Sequence, residues 1–212
     1  MEHLPLPLLY YSCMKRMIGH AGDAAKFLGH FITSPQKTGA VLPSSSSLAR
    51  IMADDMGLEK AKLVVDVGAG TGVFTGETLK RVRPGTKVIA IEINPHFARI
   101  IRRKYPRVTV ISDSVEHLAK HLRKAGHRHA DAILCGLPWS HFPDSLQKSL
   151  LNAMYDSLKP GGKFASFAYI HSAWWPSARR FKRLLKTRFR KTSRSRIAWL
   201  NVPPAFVHRC VK

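Results

Sequence analysis

The sequence predicts an α/β protein built on a mostly parallel, seven-stranded sheet that ends in an antiparallel hairpin. Three observations predict it. Five short apolar, β-branched runs alternate with segments of helix-forming composition, the pattern of a parallel sheet covered by helices. The first run leads into Gly68-Ala69-Gly70-Thr71-Gly72, a turn in which the backbone can approach a ligand closely at a helix start. The last two runs, Arg196 to Asn201 and Ala205 to Val211, flank Val202-Pro203-Pro204, as expected of residues confined to turns and strand ends.

Composition narrows the class. A chain of 212 residues that is 45% hydrophobic can build one buried core, so intrinsic disorder is excluded as the overall state. Thirty-five Lys and Arg against 13 Asp and Glu, a net charge of +22, call for a polyanionic partner such as a membrane surface, RNA or DNA. Charge does not choose among these. Cys13, Cys135 and Cys210 are too few and too scattered for a disulfide framework, which fits a reducing cytoplasm. The apolar stretch Leu4 to Tyr11 is broken by Pro5 and Pro7 and has no basic leader, unlike a signal peptide. No window nears the roughly 18 apolar residues of a spanning helix. The expectation is a cytoplasmic protein lying on the inner face of the membrane.

The elements follow in order. Met14, Met17, Ile18, Ala21, Ala25, Leu28 and Ile32 keep the spacing of one helical face. This amphipathic stretch, weakened by Gly19, Gly22 and Gly29, needs a surface to form against. Core packing and membrane docking both supply one. Residues 1–46 are read as an N-terminal extension serving as lid or membrane contact, and 47–212 as the main domain. Thr33 to Ser47 is loop chemistry, and Ser47 can cap a helix from Leu48 to about Met56. Strands are expected at Leu63 to Val67, Val88 to Ile93, Val108 to Ser112, Ala132 to Cys135 and Lys163 to Ala168, with a helix from Phe74 to Val82 after the glycine turn. Residues 174–196 form a basic insertion before the hairpin. Within it, residues 179–196 hold ten Lys or Arg and no acid.

Three features share one sheet edge. The dinucleotide fingerprint requires a third glycine where this chain has Val73, which argues against a nicotinamide cofactor. Glu92, beside Ile93 at the end of the second strand, can accept from both hydroxyls of a ribose. Asp113, followed by Ser114 after the third, can accept from an adenine amino group. In this order, from about Leu63 to Tyr169, the sequence resembles class I S-adenosylmethionine methyltransferases. The resemblance implies a Rossmann-like methyltransferase fold and S-adenosyl-L-methionine as cofactor. It further implies that Asp66 and Gly68, Ala69, Gly70, Thr71 and Gly72 hold the methionine part, Glu92 the ribose, and Asp113 with Ser114 the adenine, with Ile93, Gly136 and Leu137 also among the cofactor-binding residues.

After the fourth strand, Cys135-Gly136-Leu137-Pro138-Trp139 stands where relatives that methylate amino groups place Asn or Asp, two prolines and an aromatic. Gly136 supplies no amide to hold an exocyclic amine, so an RNA adenine N6-methyltransferase is the alternative reading. From Phe27 onwards the chain is more similar to bacterial, membrane-peripheral phosphatidylethanolamine N-methyltransferases. The residues that carry this are Phe27-Leu28-Gly29, Ser34 to Ala40 including Lys37, Pro43-Ser44-Ser45-Ser46-Ser47-Leu48-Ala49, Gly70 to Thr75, Gly136-Leu137-Pro138 and Asn201 to Val207. Ornithine-lipid methyltransferases have a similar build. The implied partners are a phospholipid substrate and an anionic membrane surface, with RNA as the alternative and no obligate protein partner.

A lipid amine is largely ammonium at neutral pH, so a methylating site must bind it and favour loss of its proton. Tyr169, ending strand five, and His171 are placed to accept that proton or orient the amine, and Trp139 to offer a cation-π face. Phe181, Leu184, Leu185 and Phe189 interleave the basic run at helical spacing. One apolar face is expected there, with Arg179, Arg180 and Arg183 capturing lipid phosphate and Lys37, Ser44 and Ser45 on the substrate side. The histidines at 117, 121, 127 and 129 complete no recognisable metal pattern.

Overall fold

The computed structural model describes residues 44–212; the amphipathic stretch of residues 14–32 and Lys37 lie outside the described residues. The first helix, α1 (Ser46–Ala53), begins where Ser45 is extended and its hydroxyl accepts the Leu48 amide. A serine oxygen there satisfies an amide that the helix start leaves unpaired. The cap is thus Ser45 rather than Ser47. Leu48, Ile51 and Met52 of α1 are buried in one cluster with Leu58, Val64, Leu134 and Val207.

Seven strands and the helices between them follow: β1 (Leu63–Val67), α2 (Val73–Arg81), β2 (Lys87–Ile91), α3 (Pro95–Lys104), β3 (Thr109–Ile111), α4 (Leu118–Lys124), β4 (Ala130–Cys135), α5 (Asp144–Asp156), β5 (Leu158–Tyr169), α6 (Pro176–Arg188), β6 (Lys191–Arg194) and β7 (Ala205–Val211). The sheet order is β3-β2-β1-β4-β5-β7-β6. Strands β1 to β5 are parallel, and β7 runs antiparallel to both of its neighbours. Every residue of β1 is buried, which is why its sequence is a continuous apolar run interrupted only by Asp66.

Two expectations change. The outer strand of the hairpin is Lys191–Arg194, paired with His208 to Val211, and not Arg196 to Asn201. An edge strand has one partner and a wet surface, so this one is wholly exposed and shows no apolar alternation. The apolar residues at 197–202 belong to a loop, pinned by a single bridge between Ala198 and Ala205. The basic insertion is therefore two elements, α6 and β6. On α6, Phe181 and Leu185 are buried, as is Phe189 just beyond it. Core packing uses the apolar face, and the cations keep the wet one.

This topology positions the site. The segments after β1 to β5 all leave the sheet at its carboxyl edge. Because β7 is reversed and Tyr169 pairs with Ala205, the loop of residues 195–204 opens onto that edge as well.

Candidate active site

The cofactor side is a set of acids held by backbone amides. Asp66, fully buried in the central strand, accepts Thr75 Oγ1 through Oδ2 at 2.5 Å. Its other oxygen, Oδ1, is buried with no partner. Burial, and next to it the nearby charge of Glu92, pushes this carboxyl up to about 7 despite the Thr75 hydrogen bond. A buried acid in that state awaits a donor, preferably a cationic one.

The glycine turn wraps around this acid. At Gly70 φ is +54° and a Cβ would meet nothing within 4 Å, so the backbone there is bare toward open space. Its amide donates to Glu92 Oε2 at 2.8 Å. Glu92, just past β2, takes the Asn94 amide on Oε1 at 2.8 Å. Burial raises its pKa against these two hydrogen bonds. Each Glu92 oxygen keeps capacity for one more donor. Neighbouring Ile93 is half-buried.

Asp113 lies past β3. Burial opposes its ionisation, but hydrogen bonds from His121 and His117 and from the Ser114 amide outweigh it and hold the carboxyl near 2. His121 Nε2 is 2.6 Å and His117 Nδ1 3.1 Å from its oxygens. Two of the clustered histidines are thereby assigned to orienting an acid. Ser114, itself buried, caps the following turn by accepting the Glu116 amide.

Gly136 and Leu137 close the turn from below. The Gly136 amide donates to Val67 O at 2.7 Å, and a Cβ on Gly136 would sit 2.7 Å from Gly68 O. Leu137 packs so closely that a Cβ on Gly68 would meet its Cδ2 at 2.9 Å. These contacts exclude any side chain at 136, the amide of adenine methyltransferases included.

The donor implied by the sequence fits these residues. Asp66 Oδ1 is the orphaned acceptor an amino-acid ammonium would fill, Gly70 gives bare backbone, and Glu92 and Asp113 follow at successive strand ends. Neighbouring Cys135 is not a competing nucleophile, since burial pushes its thiol up to about 12.

Beyond β4 and β5 the same edge, where the acceptor is expected, is aromatic. Phe74 of α2 meets Phe167 edge-on at 5.8 Å, Phe167 meets Tyr169 at 5.3 Å, and Tyr169 stacks on His171 at 5.6 Å. His171 reaches Trp175 at 6.3 Å, and Trp175 meets His141 at 5.4 Å. This ring series runs from the helix after the glycine turn to the turn after β4. Burial raises the Tyr169 phenol, so at neutral pH it stays protonated and can orient an amine but not act as a ready base. Half-buried His141 was not foreseen; burial first, and then His171, lower its pKa, leaving a neutral imidazole. Its only sequence signal was its place two residues after Trp139.

Trp139 corrects an expectation. It is buried, donates from Nε1 to Ser166 Oγ at 2.8 Å, and stacks on Phe181 at 4.1 Å, so it offers no open cation-π face. It anchors α6 instead. Arg179 and Arg183 are exposed on α6 and Arg180 is half-buried.

Comparison with known proteins identifies the family and the fold. A family model described as a methyltransferase domain matches residues 64–162. The chain is 33% identical over 162 residues to the ornithine lipid N-methyltransferase of Singulisphaera acidiphila, covering 75% of this chain and 84% of that protein. A shorter match, 37% over 73 residues, covers 33% of this chain and 27% of ribosomal RNA small subunit methyltransferase A of Thermotoga petrophila. Among solved structures, the O-methyltransferase of Bacillus cereus in complex with S-adenosylhomocysteine is similar in fold, with a TM-score of 0.60, 13% identity and 97% of each chain covered. A glycopeptide N-methyltransferase complexed with S-adenosyl-L-homocysteine gives a TM-score of 0.63 at 14% identity, covering 78% of this chain and 89% of that one.

Proposed function

Because the chain belongs to the class I S-adenosylmethionine-dependent methyltransferases, we propose that it methylates the head-group amine of a membrane lipid at the membrane surface. Phosphatidylethanolamine is the favoured substrate and ornithine lipid the nearest competitor, since both present an amine beside an acidic group. When bound, the cofactor supplies a sulfonium methyl that is already electrophilic, so the protein's work is alignment and proton control.

Asp66 and the amides of the 68–72 turn hold the amino-acid part, Glu92 the ribose, and Asp113 the adenine. Tyr169 Oη orients the incoming amine. His141 and His171 line the same end, and the neutral His141 does not repel an ammonium ion. Partial burial among these rings favours the uncharged amine, which is the nucleophilic form.

The observation that carries the lipid reading is a change of polarity beyond β5. An aromatic cluster ends at Trp175, and α6 begins at once with Arg179, Arg180 and Arg183. An uncharged aromatic cluster followed by exposed cations suits a zwitterionic head group, amine inward and phosphate outward. The adenine reading is disfavoured because position 136 has no room for an amide.

Radiolabelled methyl transfer should be measured in parallel on phosphatidylethanolamine, ornithine lipid and total RNA. Label is expected in lipid. Label in RNA alone would end the lipid reading, and label in ornithine lipid alone would reassign the head group.

A further inference from the structure

The two loops at the acceptor mouth have inverted polarity. Among the described residues, the large apolar side chains that stand exposed are Trp174 (81%), Trp175 (42%), Trp199 (68%), Leu200 (81%) and Val202 (66%). All five fall on the segment after β5 or the segment before β7. One polar residue of each loop is buried instead: Asn201 is 2% exposed and Ser172 1%.

The inversion is built in. Asn201 Nδ2 donates to Pro203 O at 2.7 Å, and its Oδ1 accepts the Ser45 amide at 2.9 Å. The Ala198 amide donates to Ala205 O at 2.7 Å. In the other loop, Ser172 Oγ donates to Tyr169 O and the Trp175 amide to Ser172 O. The loop bases are joined by Ile170 N donating to Pro204 O at 3.0 Å. Water would select the opposite arrangement, polar side chains out and apolar ones in. Exposed apolar side chains gathered on two loops whose bases are hydrogen-bonded mark an interaction site, and these loops share their sheet edge with the aromatic cluster.

Charge names the occupant. Arg194 and Arg196 precede the second loop and Arg179 follows the first, all exposed, on a chain of net charge +22. Tryptophans and a leucine fringed by cations fit the acyl boundary of an anionic bilayer, with the rings at head-group depth. α6 cannot supply that apolar contact, because its own apolar face is spent on Trp139 and the core.

We infer that the 174–175 and 199–202 loops form a paired wedge that inserts into an anionic lipid leaflet and sets the active-site mouth against the head groups. The inference deepens the lipid reading and rests on it for its purpose, but it is tested separately. Trp174, Trp175 and Trp199 give a direct optical probe. Vesicles of phosphatidylcholine with about 30% phosphatidylglycerol, carrying a quencher on the acyl chain, should quench this fluorescence, and Leu200→Asp and Trp199→Ala should each weaken vesicle partition by about 10-fold.

Leu200→Asp should retain transfer to a water-soluble, short-chain phosphatidylethanolamine while losing it on vesicles. Quenching without transfer to any lipid amine would support the wedge and sink the lipid reading. Unquenched tryptophans in vesicle-bound protein, or variants that partition like the parent, would overturn the wedge. So would tight RNA binding that Leu200→Asp weakens while vesicles leave the fluorescence unchanged.

Discussion

The two halves of the carboxyl edge solve their binding problems by opposite means. Beneath β1 to β3, three acids stand at strand ends, held by backbone amides, a threonine hydroxyl and two histidines. Beyond β4 and β5 there is no comparable acid in the ring series; rings and a neutral imidazole stand there, with the exposed cations of α6 following them. A cofactor common to a large family imposes fixed donors and acceptors. An acceptor is specified by shape, by local polarity and by the surface from which it arrives.

That division can be broken most severely at Asp66. Asp66→Asn should weaken cofactor binding by at least about 100-fold, roughly 3 kcal/mol, because a charged acceptor for an ammonium is lost. The folded protein alone should respond in the opposite sense. A carboxyl whose pKa rises from 3.8 to about 7 gives stability that is fully present below about 3.8 and is lost as pH rises through about 7. At pH 8, Asp66→Asn should therefore match or exceed the parent in thermal stability without cofactor. A clear loss of stability there would show that the buried charge is compensated in the free protein. By the same linkage, affinity for S-adenosylhomocysteine should rise between pH 6 and about 7.5, with proton release measurable by calorimetry in buffers of different ionisation enthalpy.

Next in size is the attempt to turn one half into another acceptor class. Gly136→Asn would push a side chain into Gly68 O, at a cost of about 2–4 kcal/mol in stability and with loss of cofactor binding. Installing adenine-type recognition thus damages the donor side before it changes the acceptor. A stable, cofactor-competent variant would show that the two halves are independent.

Tyr169→Phe probes the acceptor half alone. Turnover should fall by about 100-fold with cofactor affinity unchanged, and near-parent activity would remove the hydroxyl from the reaction. The smallest effect is expected at His121→Ala. Asp113 keeps its other partners, so cofactor affinity at neutral pH should fall by about 2- to 5-fold, with a larger loss below pH 5 as the carboxyl becomes easier to protonate.

The same contrast explains what could be read from the chain. The strand runs and the glycine turn were legible because buried parallel strands demand continuous apolarity, and the places of Glu92 and Asp113 just past strand ends were legible with them. The outer hairpin strand was not. Lys191-Thr192-Ser193-Arg194 has one partner and full exposure, so nothing in its polarity marks it as a strand. Residues 196–201 misled for the converse reason, since their apolarity is displayed rather than buried. Trp139 was read as an open cation-π face, yet it and Phe181 on the apolar face of α6 bury each other, a pairing across 42 positions that no local pattern encodes. His141 was invisible because its chemistry comes from burial and from Trp175 and His171, which only the closed sheet brings near.

The bond between the Ser45 amide and Asn201 links residues 156 apart, and Arg209 Nη2 donates to Ile51 O across 158. Contacts of such separation form late, since the intervening chain must be ordered before they return anything. The bonds that tie α1 to the 199–202 loop and to β7 therefore form only after the intervening sheet is ordered, and until then the loop lacks its link to Ser45. A nascent chain carries these tryptophans and Leu200 without the geometry that projects them, so the lipid engagement we propose would be a property of finished molecules alone.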